Sequence, residues 1–224
     1  MKRFDLHVHT THLSDDAWLQ PEDAIRRLEA LGFAGLALTE HNAFWSPDDL
    51  ARLQARTSLI LVRAAEIQTE ETGHVLVLGW DDDPVWPYHR FERLRQAATA
   101  KGAVLLIAHP YRRWFPLWAR RQALGEPQEA TALHPWWRQA DGLEVHNGRA
   151  PAEENALACE AAGALALPGT GGSDAHRLED LGRAWTELPD WVKTPQDVVE
   201  ALRRGLGRPS RPAVSAPPSP GAGA

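Results

Sequence analysis

The feature that most constrains this chain is a rhythm in its apolar residues. Short apolar runs alternate with stretches of helical spacing along most of its 224 residues. Residues 4–9, 35–38, 59–66, 75–78, 103–108, 142–145, 164–167 and 184–188 read as strands. Residues 21–31, 47–53, 91–100, 153–162 and 195–204 read as helices. Pro21 suits a first helical turn, with Leu28 and Leu31 on its apolar stripe, and Ser46 suits an N-cap. The helix over 153–162 is expected to stop at Gly163. Strand–helix alternation implies a largely parallel sheet with helices outside it, and about seven such units suffice to close a barrel. The expected fold class is therefore α/β.

Two segments break the rhythm. Residues 111–140 are rich in tryptophan and arginine and lack a clean period, so an insertion or lid over the site is expected there. Residues 207–224 read GRPSRPAVSAPPSPGAGA, a composition that buries too little apolar surface to fold, and a disordered tail is expected. The remaining residues 1–206 read as one domain, in line with an ordinary globular mix of 43% hydrophobic and 24% charged residues.

A single cysteine, Cys159, excludes an intrachain disulfide and suits a reducing compartment. The start, MKRFDLHVHT, has charge but no apolar run of signal-peptide length, and no stretch approaches the ~20 apolar residues that span a bilayer. A soluble, cytoplasmic protein without membrane attachment is expected. The net charge of -6 argues against a basic face that coats nucleic acid, though not against an enzyme that draws a nucleotide into a positive pocket.

The chemistry begins at Asp5, His7 and His9. Residues two apart on a strand share a face, so these three are expected to point one way and Phe4, Leu6 and Val8 the other. Burying two imidazoles is costly unless a partner such as a metal ion receives them. The pattern then recurs. His41 follows GLALT, Glu66 ends LILVRAAE, His109 ends AVLLIAH, and Asp174 and His176 follow ALALPGTGGS. Ligand-type residues thus gather at the downstream ends of successive strands, the rim where barrel active sites are built. His74 precedes its strand. A reversal through QTEETG would make that strand antiparallel and return His74 to the side of Glu66. Asp15 and Asp16 offer a loop carboxylate that can fold back over the mouth, with Asp15 favoured.

The segments DLHVHT, TEHN, AAEI, GHVLVLG, AHPY and GGSDAH, in order from Phe4 to His176, resemble the PHP (polymerase and histidinol phosphatase) family of metal-dependent phosphoesterases. The resemblance implies a distorted (β/α)7 TIM-like barrel. It also implies a trinuclear site held by His7, His9, Asp15, His41, Glu66, His74, His109, Asp174 and His176. By similarity, one ion takes His7, His9, Glu66 and Asp174; a second shares Glu66 and takes His74 and His109; a third takes Asp15, His41 and His176. Two positions depart from the family pattern. Glu40 stands where an aspartate is usual, which bears on support around the ligands, and His146 stands where many relatives carry an aromatic. All nine expected ligands are nitrogen or oxygen donors, which suits three divalent zinc, manganese or iron ions.

Three dications against three carboxylates leave a formal charge of about +3, a pocket for an anion such as a phosphate ester. The expected reaction is hydrolysis of a phosphate monoester, from a small metabolite or nucleotide, with a metal-bridging hydroxide attacking phosphorus. Arg112 and Arg113 are candidates for gripping phosphate, with Arg149 and Arg183 near other rim segments, and His146 is a candidate proton donor. Trp114, Trp118, Trp136 and Trp137 could stack bases or form a small core of the insertion. His12, His89 and His134 read as surface or loop residues. The competing readings are a 5′-end nuclease on short single strands and a non-catalytic metal-stabilised interaction domain. An amidohydrolase is disfavoured, because no lysine sits at a strand end to bridge two metals. No obligate protein partner is evident.

Overall fold

The computed structural model describes residues 1–80, 89–112 and 134–212. These build nine strands in one sheet: β1 (Lys2–Val8), β2 (Gly35–His41), β3 (Ile60–Thr69), β4 (Gly73–Leu78), β5 (Val104–Ile107), β6 (Gly142–Asn147), β7 (Gly169–Gly172), β8 (Trp185–Leu188) and β9 (Arg208–Ser210). Their spatial order is β7-β6-β5-β4-β3-β2-β1-β8-β9. Strands β1 to β3 run parallel, β4 is antiparallel to both neighbours, and β5 to β7 run parallel again. A bridge from Val8 to Ala175 and the bond from His9 N to Ala175 O, 2.9 Å, bring the chain just after β7 against the end of β1. The result is a nearly closed, distorted seven-strand barrel, with β8 and β9 appended beside β1.

Helices α1 (Pro21–Ala30), α2 (Pro47–Gln54), α3 (Phe91–Lys101), α4 (Ala152–Leu165) and α5 (Pro195–Arg203) cover the sheet. Their local signals are legible. Ser46 caps α2 by accepting from Asp49 N at 3.1 Å, and Thr194 and Asp197 form a reciprocal capping box at α5. Helix α1 buries Pro21, Ala24, Ile25 and Leu28, the three-and-four spacing of one face. Beneath the site lies an inner core in which Val62, Ala64, Leu76 and Leu106 meet Val198 and Leu202 of α5.

The alternation expected of residues 4–9 fails midway. Phe4 and Leu6 join the inner core, while Val8 packs with Ala24 and Leu28 of α1. The cause is a bulge: Asp5 pairs with Leu36 but Val8 with Leu38, so β1 carries one extra residue. A bulge re-aims the residues that follow it.

Three expected boundaries are corrected. Helix α4 continues through Gly163 to Leu165, whose side chain is buried, and stops at Ala166 with φ 53°. Residues 164–167 are therefore not a strand; the strand is the glycine-rich β7. A Cβ on Gly171 would lie 2.5 Å from Trp185 O, and one on Gly172 2.5 Å from His7 Cβ, so only glycine passes where the barrel closes. Within the expected tail, Arg208–Ser210 pairs with β8 as β9, because Pro209 sits at a sheet edge where no amide donor is needed. The rest of that tail beyond residue 212 lies outside the described residues.

Much of the expected insertion, including Arg113, Trp114 and Trp118, also lies outside the described residues. Its end forms a short 3-10 turn, Pro135–Gln139. Trp137 is buried in the main core, edge-on to Tyr111 at 5.4 Å, and Trp136 packs against Phe91. These two rings extend the main core and do not form a separate one.

Candidate metal centre

The ends of β1, β2 and β5, the second half of β3, the start of β4 and the turn after β7 bring side chains to one point. His7 and His9 leave β1 with their Nε2 atoms 3.0 Å apart. Both atoms lie 3.5 Å from Asp174 Oδ1, and both approach Glu66, His7 at 3.4 Å and His9 at 3.5 Å. Glu66 is the hub. His109 Nε2 lies 2.9 Å and His74 Nδ1 2.8 Å from its Oε1, and His41 Nδ1 lies 2.9 Å from its Oε2. His74 arrives there because β4 runs antiparallel to β3, with Gln68 opposite His74, as the reversal through QTEETG predicts. Among the described residues, ligand-type atoms within 4.8 Å of one another form three overlapping groups: His7, His9 and Asp174; His7, Glu66 and His109; His9, His41 and His176.

The acidic residue that reaches the third group is Asp16, not Asp15. Its carboxylate stands 3.3 Å from His41 Nε2 and 3.2 Å from His176 Nε2. No spacing rule separates adjacent acids on a loop; the turn after Ser14 decides which one faces inward. Two of the gathered residues carry left-handed backbone, His109 with φ 26° and Asp174 with φ 54°, strain of a kind that concentrates at functional sites.

The donor set fits divalent cations. Two imidazole nitrogens 3.0 Å apart share at most one proton, so a lone pair points inward beside two buried carboxylates. Glu66 Oε2 is buried without a well-directed hydrogen bond, despite the proximity of His41. The local field also draws positive charge. Burial opposes protonation of His7, yet Glu144, Asp174 and Glu66 hold its pKa well above the ordinary range. Burial likewise opposes ionisation of Glu66 and Asp174, but His7 and its neighbours hold both well below the usual carboxylate range. His9, with burial dominant, is pushed down to about 3 and stays neutral, the form that donates to a metal.

A shell of buried polar groups fixes these side chains. Glu40, the departure from the family pattern, is fully satisfied: it accepts from Thr10 N and Trp45 Nε1, both at 2.9 Å, from Ser14 Oγ at 2.5 Å, and from Thr10 Oγ1. It thereby pins the 10–14 loop, and Ser14 Oγ stands 3.4 Å from His9 Nδ1. Asp5, pushed up to about 7 by burial, accepts from Ser173 N at 2.8 Å and so anchors the turn that carries Asp174. Glu144 and Asn147 of β6 complete the shell and were missed in the sequence. Their signal there was weak, two polar residues beside His146 in a short strand.

Arg112 sits at the cluster's edge, bonded to Asp174 Oδ2 and, at 2.9 Å, to Asn147 Oδ1. Arg149 reaches His176 Nδ1 at 2.7 Å and is largely exposed. His146 does not join the cluster. Its Nδ1 meets Val145 O, and it lines a separate cavity of about 220 Å³ with Arg183 and Arg211. The reason is a second bulge: Glu144 pairs with Thr170 and His146 with Gly171, so β6 carries an extra residue that leaves Glu144 and Asn147 facing the cluster and His146 turned from it. His134, by contrast, shares a cavity of about 440 Å³ with His74, His109, Arg112, Gln68 and Trp137. His12 stacks on Trp45, and His89 approaches Gln68 O; neither joins the cluster. A larger cavity of about 800 Å³ between α2 and α5 contains none of these groups.

A distorted barrel with histidines and carboxylates gathered at one rim defines a class of metal-centred barrels. Within it, a family model described as PHP domain matches residues 5–108, and one described as PHP-associated matches residues 152–206. The chain belongs to the PHP family. Solved structures share the fold. A two-domain protein from Bacteroides vulgatus, described as containing a PHP-like metal-dependent phosphoesterase, is 21% identical with a TM-score of 0.66, over 94% of this chain and 64% of that one. The present chain thus spans less than two thirds of that relative. An amidohydrolase from Chromobacterium violaceum with bound sulfate is 20% identical with a TM-score of 0.58, over 94% of this chain and 98% of that one. The lesion-specific endonuclease EndoQ of Pyrococcus furiosus is 15% identical with a TM-score of 0.55, over 94% and 57%. No curated protein matches the sequence. Among the described residues, no helix is long and apolar enough to cross a membrane.

Proposed function

We propose that this chain is a metal-dependent phosphoesterase that hydrolyses a phosphate monoester of a small metabolite or nucleotide. The observation that carries the reading is Glu66, a buried carboxylate within 3.5 Å of five imidazoles. One ion is assigned to His7, His9, Glu66 and Asp174, a second to Glu66, His74 and His109, and a third to Asp16, His41 and His176. Zinc, manganese or iron(II), when bound, would acidify water and neutralise charge on phosphate oxygens.

The chain's own groups supply the rest. Arg112 and Arg149 offer guanidinium donors for phosphate at the cluster's edge. The adjoining cavity of about 440 Å³ has the size of a small-molecule site. Its wall mixes Trp137, His134, Gln68 and Thr72, which suits a polar leaving group with some flat or apolar surface.

Metal analysis combined with a screen of phosphate esters tests this. Inorganic phosphate should appear from at least one ester, chelation should abolish its release, and Glu66→Gln should lower kcat by at least about 100-fold. Full metal loading with no ester turned over would favour the non-catalytic, metal-stabilised domain. The likeness to an endonuclease supports a second reading, a 5′-end nuclease, and short oligonucleotides cleaved in preference to metabolites would select it.

A further inference from the structure

Strand β6 contributes none of the assigned ligands, yet its Glu144 touches two of the strands that do. This carboxylate is 1% exposed. Its Oε1 lies 2.9 Å from His7 Nδ1. Its Oε2 accepts from His109 N at 2.9 Å and from Asn147 Nδ2 at 2.9 Å. Asn147 Nδ2 in turn reaches Asp174 Oδ2 at 3.2 Å, and Asn147 Oδ1 accepts from Arg112 at 2.9 Å and from Arg149 N at 2.9 Å. With Oε2 occupied by two N–H donors and the carboxylate an acceptor only, His7 must carry a proton on Nδ1. In the neutral ring, the form that binds a metal, the Nε2 lone pair then faces His9, Glu66 and Asp174.

We propose that Glu144 is a positioning residue that fixes the Nδ1–H tautomer of His7 and the placement of His109, and so sets metal affinity at the position shared by His7, His9 and Asp174. The inference rests on the metal-centre reading but not on any substrate. It makes an unusual demand on the isosteric variant. In Glu144→Gln the single amide oxygen is claimed by the His109 and Asn147 N–H groups. The new NH2 then faces His7 Nδ1 and requires a lone pair there, which moves the ring proton to Nε2, where it blocks the ion. Glu144→Ala removes the constraint without imposing the wrong tautomer. The gentler change in shape should therefore be the more damaging one.

The experiment measures Zn2+ binding by the full chain, with Co2+ visible absorption as a second readout, in wild type, E144Q and E144A. E144Q should lose about 10–100-fold in affinity for at least one ion, the range of second-layer partners, and should lose more than E144A. Equal binding by E144Q and wild type, or a larger loss in E144A, overturns the proposal; the second result is that of packing alone. Nitrogen-15 spectra of the wild-type histidines, with Zn2+ and without it at a pH where the ring is neutral, should place the His7 proton on Nδ1. A proton on Nε2 overturns the proposal even if neither variant folds. A wild-type chain that binds no Zn2+ defeats the phosphoesterase reading and the affinity role of Glu144 together, while a wild-type chain that binds Zn2+ but turns over no ester leaves this proposal standing.

Discussion

Adjacent acids on one loop show how much a single residue's placement matters. Asp15 and Asp16 are chemically identical and both exposed, but it is Asp16 that approaches His41 and His176. Asp16 is held below the usual carboxylate range: burial pushes the other way, and His176, His41 and His9 outweigh it. Asp16→Ala should therefore remove one ion per chain, whereas Asp15→Ala should retain the full complement, both by elemental analysis of protein equilibrated with Zn2+. The reverse pattern would restore Asp15 to the ligand set. The other candidate ligands were legible because they recur at successive strand ends, as His109 does in AVLLIAH. Asp16 was not, because a one-residue choice on a loop depends on turn geometry.

At the scale of elements, two bulges and one glycine strand shape the mouth. The bulge in β1 lets His7 follow Leu6 onto the inner side, and the bulge in β6 removes His146 from the site while presenting Glu144 and Asn147. Neither extra residue leaves a mark on hydrophobic periodicity, because a bulge is defined by the partner strand. Strand β7 was misplaced for a related reason. GTGG has no apolar signature, and its glycines answer to Trp185 and His7, which are remote in sequence. Gly171→Ala should cost about 1–3 kcal/mol of unfolding free energy by denaturant titration, since its Cβ meets a backbone carbonyl that cannot swing aside. Gly163→Ala is the contrasting case. It lies within α4 with nothing within 4 Å of the added carbon, and should stabilise by about 0.5–1 kcal/mol. A neutral Gly171→Ala would mean that the barrel closes less tightly at β7 than its geometry implies.

For the whole molecule, the cluster joins β1 near the start of the chain to the turn after β7. Ions bound only by the folded chain stabilise it by mass action, about 2.7 kcal/mol per site at a free concentration 100 times Kd. For a chain of this size that corresponds to a rise in Tm of roughly 5–10 °C per site. Thermal unfolding by circular dichroism should therefore shift upward with Zn2+ and fall after chelation. The shift should be smaller in Asp16→Ala and largely lost in Glu66→Gln. An unchanged Tm across these conditions would show that the nine groups hold no ion tightly.

What the amino-acid sequence determined by itself was local and periodic: the strand–helix alternation, the capped helix start at Ser46, and the ligand-type residues at strand ends. These follow from short-range sterics and from the cost of burying polar groups, which each segment carries in its own composition. Only the tertiary structure decided which acid faces the cluster, where β1 and β6 bulge, and that Glu144 rather than His146 serves the site. Those outcomes depend on pairing between segments as distant as His7 and Glu144, whose buried contact at 2.9 Å no stretch of either strand encodes alone.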